Sequence, residues 1–212
     1  MSDSSLPTRV VIVRHGESVD NVAGRISGWT DSALTELGRQ QALRMAEHVS
    51  SRYQPSVIYA STLQRARHTA APLVERTGAP LIIRPDLREL NFGVAEGLTH
   101  AEVVERHADI WTGAQSEDDL GFAWPGGESR VEFFGRVRDV FADILASHQG
   151  ETVVVVSHGG VISSFLANHF EGNPAAWRRY QLRNCSVTEV TGSGTAITVL
   201  QWNQTDHLAA DG

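Results

Sequence analysis

Residues 10–18 read VVIVRHGES, and residues 153–161 read VVVVSHGGV. Each is a run of β-branched residues that stops at a His-Gly pair. Unbroken apolar runs of this kind mark strands covered on both faces, as in a parallel sheet packed between helices. Working outward, Thr8–Val13 is the first strand, and Ser32 or Thr35 opens a helix carrying Leu37, Ala42, Leu43, Ala46 and Val49. Ser56–Ala60 is the second strand. Ser61-x-x-Gln64 follows it at capping-box spacing, and the helix behind closes at Gly78. Leu81–Arg84 is the third strand, and Thr99 caps a helix to about His107. Residues 111–129, WTGAQSEDDLGFAWPGGES, read as a long surface excursion. Val131 to Leu145 is helical, Thr152–Val156 is a strand and Val161–Phe170 a helix. Val187–Val190 and Ala196–Trp202 form a closing hairpin around Gly192-Ser193-Gly194. The expected fold class is α/β: three layers, with a mostly parallel sheet and helices on both faces. No repeat or composition break divides the chain. Residues 1–212 therefore read as one domain, with 1–7 and 204–212 as poorly ordered tails.

The chain has 212 residues, 41% of them apolar, and a formal net charge of −7. A field of that sign argues against nucleic acid and anionic membranes as partners. The N-terminus, MSDSSLPTR, lacks the apolar stretch of a signal peptide, and no run is long enough to span a bilayer. One cysteine, Cys185, cannot form an intrachain disulfide, so a reducing cytoplasm is the expected setting. These properties leave a homodimer open.

In an open parallel sheet, ligands sit beyond the carboxyl ends of the strands, and both His-Gly pairs fall there. Gly159 also opens a helix, whose free N–H groups and positive dipole end favour an anion. Arg14 adds a permanent cation beside His15, and STLQRARHTA brings Arg65 or Arg67 to a third strand end. Two histidines and at least two arginines make a pocket for phosphate or a similar oxyanion. The competing use of two histidines is a metal site. It is disfavoured because Arg14 precedes His15 and no HxH or HxxxH accompanies either histidine.

RHGES, Asn21 and SGWTDSALTELGRQQA resemble the histidine phosphatase superfamily, in its phosphoglycerate mutase-like branch. STLQRARHTA, RELNFGVAEG, PGGES and VVVVSHGGV match further landmarks of that family in order. The resemblance implies His15 as nucleophile, Glu89 as general acid, and Arg14, Arg65 and His158 around the transferred phosphoryl group. It also implies Asn21, Ser27, Gly28 and Gly159 as phosphate or substrate contacts, with no metal and no cofactor. Of Arg65 and Arg67, Arg65 matches the motif. The two strand ends are then expected to form opposite walls of one site. Glu89 has a competing reading as a surface acid paired with Arg88. Glu17, Glu96, His68, His100 and His107 are assigned to solvated faces.

The family holds both phosphatases and cofactor-dependent mutases. Mutases carry basic residues just after the acid, whereas Glu89 is followed by Leu90-Asn91-Phe92-Gly93. Few cations lie outside the expected phosphate pocket, and Trp111, Phe122 and Trp124 offer parts of a lid. The resemblance thus implies a phosphomonoester hydrolase acting on a small phosphorylated metabolite, its leaving group neutral or apolar. The alternatives are a phosphoglycerate mutase and, less favoured because His15 and Glu89 are both present, a non-catalytic phosphate-binding protein.

Overall fold

The computed structural model describes residues 6–116, 119–193 and 196–209. Its strands are β1 (Thr8–Arg14), β2 (Val57–Ser61), β3 (Leu81–Arg84), β4 (Thr152–Ser157), β5 (Val187–Ser193) and β6 (Ala196–Gln204). Its helices are α1 (Val19–Ala23), α2 (Glu36–Arg52), α3 (Gln64–Thr77), α4 (His100–Arg106), α5 (Ala108–Gln115), α6 (Arg130–Ser147) and α7 (Gly159–Glu171). One sheet holds the strands in the order β3-β2-β4-β1-β5-β6. The first four in that order pair in parallel. β5 and β6 close one edge as antiparallel partners. The expected three-layer α/β architecture is borne out.

The valine runs explain the layering. Successive side chains on a strand point to opposite faces. Val10, Ile12, Val153 and Val155 pack with α6 and α7, while Val11, Val13, Val154 and Val156 pack with α2 and α3. All are completely buried. Burial of each such side chain stabilises the fold by about 1.5–3 kcal/mol relative to exposure. The register of β1 on β4 sets Arg14 beside Ser157. The two His-Gly pairs therefore emerge side by side from neighbouring strands, and the expectation of opposite walls is corrected.

Helix starts follow local chemistry. Thr35 caps α2 by accepting from the Gly38 N–H. Thr99 with Glu102 and Ser129 with Glu132 form capping boxes. Ser61 does not cap α3, which begins after Leu63 with no side-chain cap. Two helices escape the sequence pattern. α1 is too short to show periodicity and rests on a capping box between Ser18 and Asn21. α5 overlaps the start of the expected surface excursion, which instead packs inward, burying Ala114 and Trp124 with Ala95 and Val103.

The expected loose tail after residue 203 is also corrected as far as Ala209. β6 runs to Gln204, Leu208 packs against the α2–α3 side of the core, and its carbonyl accepts from Arg44 Nη1 at 2.7 Å. Residues 1–5, residues 210–212 and Gly194 of the hairpin turn lie outside the described residues. Among the described residues, no helix is long and apolar enough to cross a membrane.

Candidate active site

A cavity of about 470 Å³ opens at the carboxyl ends of β1, β2 and β4. Arg14, His15, Asn21, Ser27, Gly28, Arg65, Glu89 and Gly159 all line it. His158 does not. It is fully buried one layer behind, its ring centroid 5.2 Å from that of His15. Arg67 is exposed while Arg65 is 1% exposed, so the structure separates the two arginines left open by the strand-end reading.

His15 is held in one tautomer. Its Nδ1–H donates to the Gly16 carbonyl at 2.8 Å, which leaves the Nε2 lone pair as its free nucleophilic atom. The backbone beneath it is tied on both sides. Asn184 Nδ2 and the Cys185 N–H donate to the His15 carbonyl, and Thr69 Oγ1 accepts from the Gly16 N–H while donating to the Arg65 carbonyl. Burial, together with the charges of Arg14 and Arg65, holds the imidazole well below the ordinary histidine range. It is neutral near pH 7.

His158 is likewise held well below that range by burial, with Arg65 and His15 beside it. Its Nε2 lies 2.8 Å from Ser61 Oγ, which also accepts from the Leu63 N–H. The contact turns Nε2 toward Ser61 and leaves Nδ1 on the other side of the ring. That nitrogen, Arg14 Nε and Arg65 Nε are buried with no hydrogen-bond partner among the described residues. The two orphaned arginine donors, on side chains that line one pocket, are the expected signature of an anion site, since burying a donor unpaired is costly.

Arg65 is aimed by a loop. Its Nη2 donates to the Gly28 carbonyl at 2.7 Å and its Nη1 to the Thr30 carbonyl at 2.8 Å. Glu96 in turn clamps that loop. Its carboxylate accepts from Trp29 N at 2.8 Å, Thr30 N at 2.7 Å, Thr30 Oγ1 at 2.7 Å and Phe92 N at 3.0 Å. Gly28 has φ +48°, and a Cβ there would lie 2.1 Å from Glu96 Oε1, so only glycine lets the clamp close. The assignment of Glu96 to a solvated face is thereby corrected. His100 is exposed, as assigned, and also lines the cavity. Glu17 accepts from the α2 cap, Thr35, at 2.8 Å.

Glu89 is not paired with Arg88, whose guanidinium stacks over Trp29 at 3.6 Å. Glu89 instead reaches the N-terminus of α7, accepting from the Gly160 N–H at 2.8 Å. Its backbone carbonyl is fixed by Trp29 Nε1 and Arg136 Nη2. A Cβ on Gly160 would lie 2.3 Å from Glu89 Oε1, so this glycine makes room for the carboxylate. The charge of Glu89 partly offsets the effect of burial on Arg14 and Arg65. Asn21 lines the cavity, but its Oδ1 accepts from Ser18 N and Asn184 Nδ2. Among the described residues, no group of three or more His, Cys, Asp or Glu side chains is placed to hold a metal ion.

Residues 10–205 match the model of the histidine phosphatase superfamily, branch 1. The chain belongs to that family. A metal-independent phosphoserine phosphatase of Arabidopsis thaliana is 34% identical over 97% of this chain and 85% of its own length. A probable phosphoglycerate mutase of Erwinia tasmaniensis is 37% identical over 86% of this chain and 84% of its own. The structure of a mycobacterial glucosyl-3-phosphoglycerate phosphatase with VO3 superposes with a TM-score of 0.81 at 35% identity, covering 93% of this chain and 99% of that one. The expected reading as a histidine phosphatase of the phosphoglycerate mutase-like kind is borne out.

Several residues of this histidine phosphatase site were not read from sequence: Ser61, Thr69, Glu96, Arg136, Gly160 and Asn184. Ser61 carried a signal that had a second meaning, since the spacing that suggested a helix cap serves His158. Gly160 was visible as the second glycine of SHGG. The others are joined to the site chiefly by hydrogen bonds between residues far apart in sequence. Arg25 and Arg178 also reach the cavity wall, two cations not counted there from sequence.

Proposed function

We propose that the protein hydrolyses a small phosphomonoester through a phosphohistidine on His15. The observation that carries this is the free Nε2 of a neutral, tautomerically fixed His15 in one cavity with the buried, unpaired donors of Arg14 and Arg65. In the first step Nε2 attacks phosphorus, the P–N bond forms and the bond to the leaving oxygen breaks. Glu89 gives that oxygen its proton. Arg14 and Arg65 stabilise the charged equatorial oxygens, with His158 packed behind His15 as part of the catalytic group. In the second step water attacks phosphorus, the P–N bond breaks and Glu89 takes up the proton. Asn21, Ser27, Gly28 and Gly159 complete the substrate wall. No step calls for a metal, because guanidinium groups supply the positive charge. A lone, buried Cys185 supports a reducing, cytoplasmic setting, and the net charge of −7 supports a small-molecule rather than a nucleic-acid partner.

Rapid quenching during turnover tests the mechanism. A phosphoramidate is labile to acid and stable to base, so the adduct should survive base alone and be missing in His15→Ala. An acid-stable adduct would overturn the assignment. Transfer from 3-phosphoglycerate that depends on 2,3-bisphosphoglycerate, exceeding hydrolysis, would turn the reading to a mutase.

A further inference from the structure

Beyond the phosphate cavity lies a second chamber of about 330 Å³. Ile26, Phe92, His100, Trp177 and Arg178 line both, so the two spaces adjoin. A phosphoryl group attacked in line by His15 Nε2 has its ester oxygen opposite that nitrogen, and this chamber is an adjoining, largely apolar-walled space with a fitting volume for the alcohol part. Its walls are largely aromatic. Trp111, Phe122 and Trp124 come from the excursion, with Phe122 set edge-on to Trp124 at 5.5 Å.

The charged side chains around the chamber, Glu128, Arg130 and Arg178, are already engaged; His100 and Gln115 also line it. Glu128 pairs with Arg136 at 2.7 Å. Arg130 donates to the carbonyls of Ala114, Ser116 and Asp119, and Arg178 donates to the Ala114 carbonyl at 2.8 Å. A hydroxyl-rich alcohol placed there would give up water for few new partners, which is costly. An aromatic or similarly apolar alcohol would lose nothing and gain contact area.

We propose that this chamber seats the leaving group, and that the preferred substrates are phosphate monoesters of bulky aromatic or apolar alcohols. The inference rests on the phosphatase reading above. It assigns to Trp111 and its aromatic neighbours the selection of substrate.

The test compares esters of primary alcohols, so that the departing oxygen is chemically alike. 2-(1-Naphthyl)ethyl phosphate should exceed both ethyl phosphate and glucose 6-phosphate in kcat/KM by about 10²-fold, the scale expected for burying two fused rings after ordering losses. Trp111→Ala removes a wall, and Gln115→Trp fills the space from an exposed lining position. Either variant should pull the naphthylethyl-to-ethyl ratio down by about tenfold or more. The exposed Gln115 site keeps the test open if Trp111→Ala fails to fold. Turnover of all three esters at similar kcat/KM, or a preference for glucose 6-phosphate, would overturn the inference and leave the phosphatase reading standing. Absence of turnover on every ester, p-nitrophenyl phosphate included, would overturn both.

Discussion

Glu96→Gln probes how far the active site depends on a residue that touches no substrate in the proposed mechanism. The carboxylate serves four donors, two on each oxygen. A glutamine Oε1 can keep Trp29 N and Phe92 N. Its amide NH2 then meets the Thr30 N–H, donor against donor. One charge-assisted hydrogen bond is lost outright and the rest are weakened, so stability should fall by about 2 kcal/mol, within the 1.5–3 kcal/mol typical of such a bond. The larger effect should be on rate. The Gly28 and Thr30 carbonyls hold both Nη atoms of Arg65, so slack in this loop is slack in Arg65. A misplacement of 1 Å in a catalytic constellation costs about 10²-fold. A partial release should therefore lower kcat/KM by about 30-fold and weaken vanadate inhibition comparably. The assay is a double-mutant cycle on kcat/KM and vanadate Ki, run well below the denaturation midpoint of every variant. In an Arg65→Ala background, Glu96→Gln should change either quantity by less than about twofold, because the residue it positions is gone. Losses that multiply independently would falsify the idea that Glu96 acts through Arg65.

Three further outcomes follow from the geometry. Gly160→Ala should expel the Glu89 carboxylate from its seat, since the new Cβ would lie 2.3 Å from Oε1; it should then slow alkyl phosphates by about 10²-fold, within the range for general acid catalysis, and p-nitrophenyl phosphate much less. Glu89→Gln should give the same pattern in single-turnover formation of phosphohistidine, and equal losses on both esters would assign Glu89 a positioning role instead. For pH, His15 and His158 are held well below 6.5 in the fold, so the unfolded chain binds more protons once the pH drops below 6.5, and stability is lost as the pH falls. At pH 5.5 each contributes a loss of about 1.4 kcal/mol. In urea denaturation the stability gap between wild type and His15→Asn should narrow or shift by that amount in favour of the variant between pH 7.5 and 5.5; a pH-independent gap would show that His15 is not held neutral.

The sheet was legible in the sequence for a simple reason. A strand buried on both faces must be apolar at every position, and Val10–Val13 and Val153–Val156 carry that requirement without help from distant residues. The cavity members Arg14, His15 and Glu89 were legible because short motifs carry them. Sequence motifs said nothing of depth, however. His158 stands in the same His-Gly context as His15, yet β4 leaves it behind the cavity wall, with Ser61 as its partner. Glu96 looked like a surface acid because its four donors come from residues 29, 30 and 92, two of them far along the chain. The excursion over residues 111–129 misled in the same way. Its glycines and acids have the composition of a loop, but α5, Phe122 and Trp124 fold back to wall a chamber beside the active site. Local chemistry dictates strands, caps and reactive groups, because those depend on neighbours within a few residues. Which groups face each other, and which lie one layer deeper, is decided only when the loops pack and satisfy one another's hydrogen bonds.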